Sequence, residues 1–120
     1  MLQIYQQKDT LFAESRYIAP TLTFEQGMTI GGGDLTLELF HAPGHCQDHI
    51  AGWLPQIQTL LAFDAVERPF PSIESAEAVP QYIATLRRFL DLKPRFVLYE
   101  HGAPNGVDDA WILQHCLDYI

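Results

Sequence analysis

Basic residues are scarce in this chain of 120. Seven Lys and Arg stand against fifteen Asp and Glu, a formal charge of −8 with histidine neutral. A protein that grips phosphates needs a basic stripe, and here Arg87-Arg88 is the only adjacent basic pair. A nucleic-acid partner is therefore not expected. Long apolar runs are absent too: no window approaches the ~20 residues of a membrane span, and the N-terminus lacks the basic-then-apolar order of a signal peptide. Cys46 and Cys116 are too few for a disulfide framework. These absences lead us to expect a reduced, cytoplasmic protein with no membrane association. Histidine is missing from the first 40 residues altogether, a gap that matters below.

What remains is a globular composition, 48% apolar and 18% charged. A chain of this length forms a single domain, residues 1–120, and buries enough surface for a core without covalent staples. Residues 1–20 carry little pattern: Leu2, Ile4, Tyr5, Leu11 and Phe12 fit a short helix that Lys8-Asp9-Thr10 interrupts. Alternation at Thr21-Leu22-Thr23-Phe24 reads as strand. Met28-Thr29-Ile30, Gly31-Gly32-Gly33-Asp34 and Leu35 to Phe40 then read as a hairpin whose three leucines share one face. His49 to Leu54 and Thr59 to Phe63 form an antiparallel pair about the turn Pro55 to Gln58, and residues 64–74, with Pro69 and Pro71, read as loop.

The period changes at Ala78 to Leu92, where Tyr82, Ile83, Leu86, Phe89 and Leu90 make a helical stripe closed by Lys93-Pro94. Arg95 to Tyr99 is a buried-type strand delivering Glu100-His101-Gly102. A final helix spans Asp108 to Ile120, with Trp111, Ile112, His115, Cys116 and Tyr119 expected on one face.

Three polar residues fall where these strands are expected to end: His45, Asp64 and His101. Singly, each has an ordinary reading, a loop histidine bonded to backbone or an aspartate capping a turn. Together, two imidazoles and a carboxylate are suitable ligands for zinc, iron or manganese.

The runs Leu39-Phe40-His41-Ala42-Pro43-Gly44-His45, Leu60-Leu61-Ala62-Phe63-Asp64-Ala65-Val66 and Val97-Leu98-Tyr99-Glu100-His101-Gly102-Ala103-Pro104 resemble, in order, the later motifs of the metallo-β-lactamase-fold hydrolases. The resemblance runs from Thr21 to the C-terminus. It implies an α/β architecture, half of an αββα sandwich: a mainly antiparallel sheet with helices packed on one face. It also implies two divalent metal ions, zinc first and iron or manganese as alternatives. His45 would bind one ion, Asp64 would bridge both, and His101 would bind the second. His41, His49 and Glu100 would stand behind these ligands.

The family's first motif, H-x-H-x-D-H, has no counterpart, because His41 is the first histidine in the chain. Gly44-His45-Cys46-Gln47-Asp48-His49 ends like that motif, but Gly44 and Cys46 would replace its leading histidines and strand rather than helix follows, so this register is rejected. The chain also has Phe63 and Glu100 where the family commonly has glycine before its aspartate and its last histidine. The expectation is half of a metal-dependent hydrolase of esters, thioesters, lactones or phosphodiesters, incomplete and inactive by itself. A homodimer or a second chain would supply the missing half, and a small molecule would be the substrate. The alternative is a non-catalytic remnant that self-associates as a binding or structural module, burying the Leu35, Leu37 and Leu39 face.

Overall fold

Turn chemistry and strand period build a six-stranded sheet in the order of the chain. The computed structural model describes residues 14–102 and 107–120, so the expected helix around Leu2 to Phe12 lies outside them. The strands are β1 (Gly27–Gly32), β2 (Leu35–His41), β3 (Ile50–Leu54), β4 (Thr59–Glu67), β5 (Phe96–His101) and β6 (Val107–Asp108). All neighbours pair antiparallel except β4 and β5, which run parallel. A parallel pair needs a crossover, and the helix α1 (Val79–Asp91) supplies it; α2 (Trp111–Tyr119) follows β6.

Both helices lie on one face, as the apolar stripes require. Trp53, Leu60 and Val97, successive partners across β3, β4 and β5, are buried with Tyr82, Leu86 and Phe89 of α1 and Ile112, Leu113 and Cys116 of α2. The opposite face is apolar as well. Met28, Leu39, Gly52, Leu61 and Leu98 are successive partners across five strands. Ile30, Leu37, Ile50 and Phe96 share their side, because alternate residues of a strand point the same way. No described helix or strand packs over this face, and Ile30, Leu35, Ile50 and Phe96 are exposed. Strands apolar on both sides belong to a sheet built to lie between two layers.

Several expectations need correction. Thr21 to Phe24 is not strand; pairing begins at Gly27, where the chain meets Phe40. β4 does not stop at Phe63 but continues to Glu67, so residues 64–67 are strand rather than loop. Phe63 takes a positive φ of 50° and the register against β5 shifts on both sides of it, so the strand passes through a bulge instead of ending. β6 was not foreseen. In α2 the buried side is Ile112, Leu113 and Cys116, while Trp111 and Tyr119 are exposed.

Tyr82 carries the core's main polar obligation. It is fully buried, and its hydroxyl donates to the Ala65 carbonyl at 2.6 Å. Burial, with Cys116 beside it, pushes its pKa far above the ordinary value of 10.0. Its contribution to stability is therefore fully present below pH 10 and lost as pH rises above it, where the unfolded chain releases the proton and the folded one holds it. Stability should fall in alkali, and Tyr82→Phe should flatten that decline while costing about 1 kcal/mol near neutrality. Melts between pH 8 and 11 check both; an equally steep fall in the variant would remove Tyr82 as the cause.

Candidate metal centre

The Pro43-Gly44-His45 turn leaves β2 and is held from several sides. Ala42 N–H donates to the His49 carbonyl at 2.9 Å and the His41 ring to the Gln47 carbonyl at 2.8 Å, closing the loop at its base. Thr85 of α1 donates its hydroxyl to the Pro43 carbonyl at 2.7 Å, and Glu74 N–H donates to the Gly44 carbonyl at 3.0 Å. The half-buried His45 ring turns Nδ1 toward the Ser72 carbonyl at 3.3 Å. A carbonyl only accepts, so Nδ1 carries the proton and a neutral ring keeps its Nε2 lone pair for a ligand.

His49 is buried beside His45, the two rings edge to face with centroids 5.6 Å apart. Its Nε2–H donates to the Ala62 carbonyl at 3.2 Å, joining the start of β3 to β4 just before Asp64. Burial pulls its pKa below 6.5.

Asp64 stands immediately after the bulge at Phe63. The positive φ there, a conformation costly for a bulky side chain, explains why a glycine suits this position in the resembled pattern. Asp64 Oδ1 lies 3.2 Å from His101 Nε2 at the end of β5, yet this buried oxygen accepts no well-aligned hydrogen bond. Glu100 completes the group: one ligand atom from each of Asp64, Glu100 and His101 lies within 4.8 Å of the others. Asp64 and His101 are thus brought together, whereas His45 is outside this set and His41 is engaged in closing its own loop. Glu100 was expected to stand behind a ligand; the fold brings its carboxylate within 4.8 Å of the Asp64 and His101 side-chain atoms.

Beside the group, the Arg68 N–H donates to the His101 carbonyl at 3.1 Å. The Arg68 guanidinium lies 3.4 Å from Asp108 and over the Trp111 ring, and the Tyr99 hydroxyl donates to Asp108. Burial, then Asp108, pushes the Tyr99 pKa up to about 12. Sequence reading missed this network because nothing in the spacing of residues 68, 99, 108 and 111 marks them as neighbours.

No family model matches the chain, and no curated protein does. Solved structures do. A metallo-beta-lactamase from Pontibacter korlensis superposes with a TM-score of 0.69 at 22% identity, over 98% of this chain and 61% of its own. A metallo-beta-lactamase family protein from Thermus thermophilus gives 0.67 at 23%, over 83% of this chain and 34% of its own. An archaeal metallo-beta-lactamase superfamily protein from Sulfolobus tokodaii gives 0.66 at 19%, over 98% and 50%. At these identities the likeness is one of fold, and the α/β architecture expected from the motifs is the one found. The chain spans between 34% and 61% of the length of these structures. No helix among the described residues is long and apolar enough to cross a membrane.

Proposed function

We propose that this chain is the metal-binding half of a hydrolase of metallo-β-lactamase type, incomplete as a catalyst by itself. The observation that carries the reading is the buried Asp64 Oδ1, left without an aligned donor beside His101. A buried oxygen whose neighbour at 3.2 Å does not form a hydrogen bond with it is costly, and a cation would satisfy it. The donor set also suits one: imidazole nitrogen with carboxylate oxygen fits zinc, iron or manganese.

His45, Asp64 and His101 would be the ligands, with His45 held by Ser72 and backed by His49. A divalent ion, when bound, supplies hydroxide near neutral pH and polarises a scissile carbonyl or phosphoryl group. The chain's own residues orient that centre, and its substrate would be an ester, thioester, lactone or phosphodiester. Two ions are the arrangement the resembled family would require. Metal content after incubation with zinc or manganese, with Asp64→Ala as control, tests the reading; no bound metal in the parent chain overturns it.

The sheet face that no described helix or strand covers favours a second reading, a self-associating module. The row Met28, Leu39, Gly52, Leu61 and Leu98 carries no charge, so a second copy could cover it without opposing like charges across the interface. Exposed apolar surface of this breadth marks an interaction site, and an isologous contact closes as a dimer. Sedimentation should show dimer at micromolar concentration and Leu37→Glu should shift it to monomer. A parent chain that sediments only as monomer counts against self-association.

A further inference from the structure

We infer that Asp108 is a positioning residue for the metal centre: by tying Tyr99 of β5 to Arg68 at the end of β4, it fixes where His101 stands relative to Asp64. The inference rests on the metal-binding reading above and adds to it a residue that acts through others.

The bulge creates the need for such a tie. Phe63 pairs with Tyr99 and Glu67 with His101, so Asp64, Ala65 and Val66 lie between two pairs whose β5 members are separated by Glu100 alone. A bulge interrupts the ladder locally. The two ligand positions therefore stand where regular strand pairing does not set their separation.

Residue 68 closes this stretch. Its N–H donates to the His101 carbonyl at 3.1 Å. The end of β5 is also pressed against it: a Cβ at Gly102 would lie 2.2 Å from the Arg68 carbonyl oxygen and 2.6 Å from its Cβ. The Arg68 side chain is anchored in turn, its guanidinium 3.4 Å from Asp108 Oδ2 and 5.2 Å from the centroid of the Trp111 ring. That same Oδ2 accepts from the hydroxyl of Tyr99, two residues before His101, and Asp108 itself is held in β6 opposite Val97. One carboxylate thus joins both strands that carry the ligands. With its side chain 22% exposed, it binds its partners more firmly than a surface ion pair would. Groups that orient ligands in this way typically govern metal affinity by 10–100-fold.

Hydrogen exchange at the Arg68 amide and Zn2+ titration, both on the full chain, test the assignment. Asp108→Asn should speed exchange of that amide tenfold or more, weaken Zn2+ about tenfold and shift the visible spectrum of bound Co2+. Tyr99→Phe should act in the same direction, and the double variant should be no worse than Asp108→Asn, since both act through one carboxylate. Arg95→Gln, which removes a guanidinium lying over Phe96 at the opposite end of β5, should leave all three readouts as in the parent. Metal-free melts verify that each variant is folded at the temperature of titration. Unchanged exchange in Asp108→Asn overturns the tie. Faster exchange with Zn2+ affinity within twofold of the parent overturns the positioning role and leaves the metal-binding reading intact. A parent chain that binds no Zn2+ overturns both.

Discussion

Replacing Gly44 by alanine is expected to lower the melting temperature by roughly 10–15 °C, from a loss of about 3 kcal/mol. Two independent effects add. Gly44 has a φ of 141°, in a region that residues with a Cβ rarely adopt. A Cβ there would also lie 2.5 Å from Tyr82 Cδ2 and 2.7 Å from its Cα. Tyr82 is fully buried and tied to Ala65, so neither its ring nor the helix backbone has room to withdraw. Overpacking of this kind costs about 1–3 kcal/mol, and backbone strain a similar amount. Gly33→Ala separates the two: Gly33 also has a positive φ, of 72°, but nothing lies within 4 Å of its Cβ position. It should cost about 1 kcal/mol, the strain alone. Calorimetric melts of both variants decide the matter. If Gly44→Ala melts as high as Gly33→Ala, the approach to Tyr82 is not what fixes this turn. The glycine before His45 is thus a packing requirement, and its consequence for the site is to dock that turn on α1.

Asp64→Ala is expected to reduce divalent-cation affinity on the order of 100-fold or more, since losing even a supporting group typically costs 10–100-fold. The metal-free chain should be hardly affected, or slightly stabilised. The reason is the buried Oδ1 with no aligned donor, whose removal relieves a desolvation penalty of about 1 kcal/mol. Residues kept for function commonly cost stability in this way. Melts with and without zinc measure both effects: the parent should melt higher with metal, and the variant should show the same temperature in both. A metal-free variant destabilised by several kcal/mol would mean that Asp64 holds the strand instead, with His101 as its ion-pair partner.

The sequence by itself determined the order of β1 to β5, the helix between β4 and β5 and the last helix, because each of these elements announces its own period. Period 2 in Leu35-Thr36-Leu37-Glu38-Leu39 and period 3.6 through Tyr82, Leu86 and Phe89 are local signals; the helical stripe matched the burial found, whereas in β2 the buried side chain is Phe40, on the face opposite the leucines. The Pro-Gly-His turn and the strand before His101 were legible for the same reason. The motif order also led to the fold that the solved structures share.

Only tertiary structure decided the rest. The bulge at Phe63 extends β4 to Glu67, because pairing with β5 outweighs a backbone conformation that phenylalanine alone would avoid. β6 exists through its pairing with β5, and two residues carry no period to read. The buried side of α2 is chosen by what it packs against, which leaves Trp111 to the Arg68 guanidinium. The same holds at the centre itself. Residue types named Asp64 and His101, but a parallel pairing made across a helical crossover set their separation and brought Glu100 beside them. Chemistry-bearing residues are local facts of a sequence, whereas the distance between two of them 37 positions apart is a property of the sheet.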